Sequence, residues 1–252
     1  MQFVAQSPPP GARGITLPDP NALVIAPDSV ASASLDRAGS GRVKLPFSLV
    51  DEAAILADDA SRHRPGRPTG PKATIHVFDS PPVAAHSFVF VIDRSASMGA
   101  GGLGAIGAAA KELAAQLTSL TADQKFQVVA YNQSSVYFTG RELIPATDEN
   151  KAKLVKFIGE LGDYGQTEHE RGLLAALRLQ PDVIFLLTDG GDPHLRPGQI
   201  TFLAEQAAGQ TSVHCLQFGT GTADAIPADH FLRRLAAETG GSYGFIAVAG
   251  RR

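Results

Sequence analysis

Phe88-Val89-Phe90-Val91-Ile92-Asp93-Arg94-Ser95-Ala96-Ser97 is an unbroken apolar run that stops on a carboxylate and two hydroxyls. A second run, Ile184-Phe185-Leu186-Leu187-Thr188-Asp189, stops in the same way. Strands that are apolar at every residue, rather than at alternate ones, belong to parallel sheets covered on both faces. Residues 86–92, 126–131, 182–187 and 212–218 all read like this, and a last strand falls near 243–248. Between them Leu103, Ile106, Ala110, Leu113, Leu117 and Leu120 recur at spacings of three and four, as do Leu154, Phe157, Ile158 and Leu161, then Leu173, Leu174 and Leu177, then Phe231, Leu232 and Leu235. This alternation predicts an α/β domain with a doubly wound, mostly parallel six-stranded sheet and helices on both faces. Residues 135–138 supply a short edge strand, in a hairpin with 126–131.

The remainder of the 252 residues bounds what such a domain can do. Charged residues are 19% of the chain and the net charge is −3, so no overall field attracts nucleic acid or anionic lipid. Cys215 is the only cysteine, which removes an internal disulfide and a cysteine zinc cluster; its apolar setting reads as an inert core thiol. The first residues carry neither a basic start nor an apolar run long enough for a signal peptide. No stretch approaches the ~20 apolar residues of a membrane span, so a soluble chain is expected, with its compartment left open. More than half of the 17 prolines precede Lys72, among Ser, Ala and Asp with only short apolar patches. Such a segment buries too little to offset its ordering entropy. Residues 1–72 are therefore expected to be a largely disordered arm and 73–252 the folded domain, with its core at 86–248. Within the arm, residues 49–60 carry a possible short docking helix, and Arg62-His63-Arg64-Pro65-Gly66-Arg67 reads as a solvated linker before it reads as a phosphate patch.

In open parallel sheets ligands bind beyond the carboxyl ends of the strands, where strand order reverses. Asp93 and Asp189 both lie on that edge. Two carboxylates facing one crevice, with only Arg94 near in sequence, call for a divalent cation as counter-charge. Ser95 and Ser97, two apart in an extended turn, can point to the same side, and Thr167 adds a third hydroxyl from the turn Gly165-Gln166-Thr167. Oxygen donors of this kind suit Mg²⁺.

This pattern, Asp93-x-Ser95-x-Ser97 followed by Thr167 and then by Thr188-Asp189-Gly190, resembles the metal-ion-dependent adhesion site of von Willebrand factor type A domains, and the run from Phe88 to Met98 resembles the bacterial single-domain members. The likeness covers residues 86–248 and implies a Rossmann-like fold. It further implies Mg²⁺ or Mn²⁺ held directly by Ser95, Ser97 and Thr167, with Asp93 and Asp189 in contact largely through water. It also implies a non-enzymatic module whose metal takes an Asp or Glu carboxylate of a protein partner. One position departs from the family pattern: Gln166 stands where a glycine usually precedes the Thr. The membrane helix that bacterial relatives often carry upstream does not occur in this sequence.

Plainer readings compete for the same residues. Thr167-Glu168-His169-Glu170 has the form of a capping box, one of the two serines could cap the helix that begins near Leu103, and Asp189-Gly190-Gly191 could be only a turn. Asp192, His169 and His194 read as exposed loop residues near the site. Gly99-Ala100-Gly101-Gly102-Leu103-Gly104 matches GxGxxG after a strand, but its glycines begin six residues past Asp93, too late to lay a pyrophosphate on the helix, and the next strand ends without the expected acid. A metal-dependent phosphohydrolase, with Asp93 as nucleophile or with a metal-activated water, is the enzymatic rival; Ser95 stands where aspartyl phosphatases place a second acid. No GxSxG elbow and no P-loop occurs.

Overall fold

The structure, a computed structural model, describes residues 70–248. The expected arm, its docking helix and the basic patch at 62–67 lie outside the described residues, apart from 70–72. The nine strands of these residues run β1 (Ala73–Ile75), β2 (Val83–Ala85), β3 (Ser87–Asp93), β4 (Lys125–Tyr131), β5 (Ser135–Tyr137), β6 (Ile144–Pro145), β7 (Val183–Thr188), β8 (Ser212–Gly219) and β9 (Tyr243–Ala247). Among the described residues five α-helices connect them: α1 (Ala105–Leu117), α2 (Asp148–Gly159), α3 (His169–Leu177), α4 (Pro197–Ala207) and α5 (Phe231–Glu238).

The main sheet has the order β5-β4-β3-β7-β8-β9, with β6 pairing β4 beside this path. β4, β3, β7, β8 and β9 are mutually parallel, whereas β5 and β6 run antiparallel to β4. All six strands read from the sequence are present, and the two-residue β6 makes the sheet seven-stranded. From β3 the chain winds outward through β4, then returns to the other side of β3 as β7. The crevice of reversed strand order is therefore the one between β3 and β7.

Alternate residues of the central strands feed two cores. Phe88, Phe90, Ile92, Phe185 and Leu187 face α1 and α2; Val89, Val91, Ile184 and Leu186 face α3, α4 and α5. Every residue of β3 and of β7 is buried, which is why neither strand alternates in sequence. Helix α4 and the β1–β2 hairpin were not foreseen. α4 opens with Pro197 in its first turn and buries Ile200, Leu203 and Ala207. The hairpin lays Ile75, Val77 and Ala85 on the α1 face, and Phe78 meets Phe218 edge to face at 5.4 Å.

Cys215, fully buried at the centre of β8, has a thiol that burial pushes well above its ordinary range. The thiolate is the reactive form, so the native protein should be inert to a disulfide-exchange reagent such as DTNB and should release one equivalent of chromophore on unfolding in denaturant. A fast reaction of the folded protein would contradict this packing.

Candidate metal centre

Register brings the two strand ends together. Ile92 pairs with Leu187 and Asp93 with Tyr131, so the β3 end lies level with the ends of β7 and β4. Asp93 is the last residue of β3 and has no exposed surface; Asp189 follows β7 at once and is half-buried. Ser95 precedes the short 3₁₀ turn Ala96–Met98 and Ser97 lies within it, the first buried and the second exposed. Thr167 is buried immediately ahead of α3. The donors are thus graded in depth, with Asp93, Ser95 and Thr167 at the floor and Ser97 and Asp189 at the mouth.

Both oxygens of Asp93 are engaged by neutral donors. Oδ1 accepts from the Ser95 amide at 2.9 Å, and Oδ2 accepts from Thr188 Oγ1 at 2.6 Å. Thr188 in turn accepts from the Gly190 amide at 3.0 Å. Burial raises the Asp93 pKa, and the Thr188 and Ser95 hydrogen bonds work against that rise. No lysine or arginine among the described residues forms an ion pair with it. A buried carboxylate without a cation is an unfavourable charge.

Two of the three hydroxyls lie close enough together to share one cation. Ser95 Oγ and Ser97 Oγ are 3.2 Å apart. Adjacent ligands on Mg²⁺, with metal–oxygen distances of ~2.0–2.1 Å, are separated by about 2.9 Å. Asp189 Oδ1 and Ser97 Oγ both lie within 4.0 Å of the point where a Cβ on Gly191 would stand, so the absent side chain leaves the mouth clear. The Thr167 loop is tied to the same turn by backbone bonds from Ala96 N to Gly165 O at 3.2 Å and from Tyr164 N to Arg94 O at 3.1 Å. Among the described residues no group of three His, Cys, Asp or Glu side chains is placed to hold a metal. The available donor set is two carboxylates and three hydroxyls, which suits a hard cation better than zinc.

The plainer uses of these side chains are mostly not realised. Glu168, not Thr167, is the N-cap of α3, with no side-chain cap, and Glu170 accepts from Gln199 Nε2 at 2.6 Å instead of reaching back. Gly104, at φ 64°, precedes α1, and neither serine caps it. Asp189 does close a turn, with Oδ1 accepting from the Gly191 amide at 3.0 Å, which leaves Oδ2 over. The loop 99–104 packs against the 162–166 loop and against itself: the Ala100 amide donates to Asp163 Oδ2 at 2.7 Å, and a Cβ on Gly102 would run into the Ser97 carbonyl. A pyrophosphate would find that amide occupied.

His169 is not the exposed loop residue expected. It is the buried first residue of α3, with Nε2 2.8 Å from the Gly191 carbonyl and Nδ1 2.8 Å from Tyr131 Oη. A carbonyl can only accept, so Nε2 carries the proton and Nδ1 accepts from the tyrosine. Burial lowers the His169 pKa, in keeping with a neutral ring. Gly172, one turn on, leaves room for that tyrosine: a Cβ there would stand 2.6 Å from Tyr131 Cγ. His194 and Asp192 do lie at the half-exposed to exposed rim. Thr188 and Asn132 were overlooked, although each is a polar residue at or just past the end of an apolar strand, the same signal that singled out Asp93.

The family model for the von Willebrand factor type A domain matches residues 86–245. Among solved structures, a von Willebrand factor type A protein from Catenulispora acidiphila is similar with a TM-score of 0.56 and 24% identity, over 71% of this chain and 43% of that one. Proximal thread matrix protein 1 from the mussel byssus, solved with a zinc-occupied MIDAS motif, gives 0.47 and 21% over 63% of this chain and 41% of its own. The manganese-loaded TRAP protein of Plasmodium vivax gives 0.47 and 15% over 65% and 68%. The chain therefore spans less than half the length of the first two. No curated protein matches it in sequence.

Thr188→Val removes the donor to Asp93 Oδ2 at nearly constant volume. An unpaired buried carboxylate oxygen costs about 1–3 kcal/mol, so urea unfolding in EDTA should show a loss of that size. A change below about 0.5 kcal/mol would mean that the bond carries none of the burial cost.

Proposed function

Because the chain belongs to the von Willebrand factor type A family, whose domains are metal-dependent protein-interaction modules, we propose that it binds a protein partner through one Mg²⁺, with Mn²⁺ as a substitute. Ser95, Ser97 and Thr167 would bind the ion directly, and Asp93 and Asp189 would act largely through bound water. When present, the ion supplies a Lewis-acidic vertex that accepts an Asp or Glu carboxylate of the partner. Asp93 and Asp189 balance its two charges, while the three hydroxyls add none, so the vertex stays attractive to an anion. The module is residues 73–252, with 1–72 an appended arm. The observation that carries this reading is the pair of serine hydroxyls 3.2 Å apart beside a buried aspartate that has no cationic partner.

The phosphohydrolase alternative asks Asp93 to attack a phosphorus atom. Its carboxylate has no exposed surface, and its oxygens are turned to the Ser95 amide and to Thr188 Oγ1, so a phosphoester has no open approach to it. Phosphate release from a generic phosphomonoester should be the same with and without protein, in Mg²⁺ and in EDTA; Mg²⁺-dependent turnover abolished by Asp93→Ala would reinstate the enzyme.

Two variants test the metal. In thermal and denaturant unfolding, Mg²⁺ at 100 times its dissociation constant should stabilise the wild type by about 2.7 kcal/mol, and Asp93→Ala should remove that response. Ser97 is exposed and does not cap α1, so Ser97→Ala should weaken Mg²⁺ binding with the fold intact. An undiminished metal response in both variants would remove the ion from this edge. For the partner, captured proteins should be released by EDTA and should fail to bind after their candidate Asp or Glu is changed to Asn or Gln.

A further inference from the structure

Arg94, between the aspartate and the first serine of the motif, is 5% exposed and makes no ion pair with a carboxylate among the described residues. A guanidinium cannot shed its charge, so burial without an anion has to be offset by other contacts. Its hydrogens go to neutral acceptors on two other loops. Nη2 donates to Asn132 Oδ1 at 3.3 Å and Ser134 Oγ at 3.4 Å, Nη1 reaches the Gly162 carbonyl at 3.5 Å, and Nε has no partner. The Tyr164 ring, itself 57% exposed, covers the guanidinium at 4.6 Å.

We propose that Arg94 is a positioning residue of the metal centre: together with Tyr164 and Asn132 it holds residues 162–166 against the Ser95–Ser97 turn and thereby sets the place of Thr167. The inference rests on the metal reading above. Residues 162–165 all touch the region of that turn. Gly162 accepts from Arg94, Asp163 accepts from the Ala100 amide, Tyr164 stacks on Arg94, and Gly165 accepts from the Ala96 amide. Tyr164 is held at both backbone groups, since its N–H donates to the Arg94 carbonyl and its carbonyl accepts from Asn132 Nδ2 at 2.8 Å.

The same contacts account for Gln166. The left-handed residue of this loop is Gly165, at φ 80°, where a Cβ would stand 2.8 Å from Gln133 Oε1. With the turn made there, position 166 does not need a glycine, and its exposed side chain is free to be large. Mg²⁺ demands near-ideal octahedral geometry, so a loop that drifts carries Thr167 off its vertex.

The test is calorimetric titration of Mg²⁺ into the wild type, Y164F, Y164A, R94K and the R94K/Y164A double variant, with thermal unfolding of each in EDTA. Y164F keeps the stacked ring and should bind as the wild type does. Y164A and R94K should bind about five- to tenfold more weakly, between the scales of an exposed and a desolvated cation–π contact, and the double variant should be no worse than the weaker single. Because Tyr164 is exposed, Y164A should keep the wild-type midpoint in EDTA. Mg²⁺ affinities of Y164A and R94K within twofold of wild type, or additive losses in the double variant, would overturn the clamp while leaving the metal site standing. A wild type as silent toward Mg²⁺ as Asp93→Ala would bring down the metal reading, and the clamp with it.

Discussion

The parallel pairing of β3 with β7 is the constraint on which the rest depends. Neighbouring parallel strands that wind in opposite directions leave their connecting loops splayed, and here that opening is flanked by Asp93 and Asp189. Both strands are buried along their whole length, so the register between them is specified by two cores at once. A slip of one residue would turn Phe90 and Phe185, stacked at 5.7 Å, out of their core and would separate Asp93 from Thr188. The position of the carboxylates is therefore fixed by apolar packing some distance below them.

Above that packing the chain accumulates polar groups that do not balance by themselves. Asp93 is an enclosed anion and Arg94 an enclosed cation one residue later, yet they do not pair. Side chains alternate along an extended chain, which sends the two to different neighbours: Thr188 for the aspartate, Asn132 and Ser134 for the arginine. Keeping the guanidinium off the carboxylate leaves Asp93 available to an external cation, at the expense of burying two charges that could have neutralised each other.

Much of this was legible in the residues. Continuous apolar runs announced β3, β4, β7 and β8, and the run ends located Asp93 and Asp189. The hairpin of β1 and β2 was not legible because three-residue strands are too short to show a period, and β6 is two residues long and contains a proline. In α4 the buried positions Ile200, Leu203 and Ala207 share their stretch with an exposed Phe202, which blurs the helical stripe. His169 illustrates a different limit. Its surroundings in sequence, Thr167-Glu168 and Glu170-Arg171, are polar, and only the approach of Tyr131 and Gly191 from distant segments makes it a buried residue. The pairing of Arg94 with Tyr164 spans 70 positions and leaves no local trace.

The relay from Tyr131 through His169 to Gly191 bears on timing. It fastens the segment after β7 to the tip of β4, across the width of β3, through two 2.8 Å bonds, the first buried and the second partly buried. Asp189 rides on that segment, and any outward swing of the segment would break the bond from His169 Nε2 to the Gly191 carbonyl. A segment fastened in this way has little ordering entropy left to lose, so the proposed ion would meet a largely prearranged site.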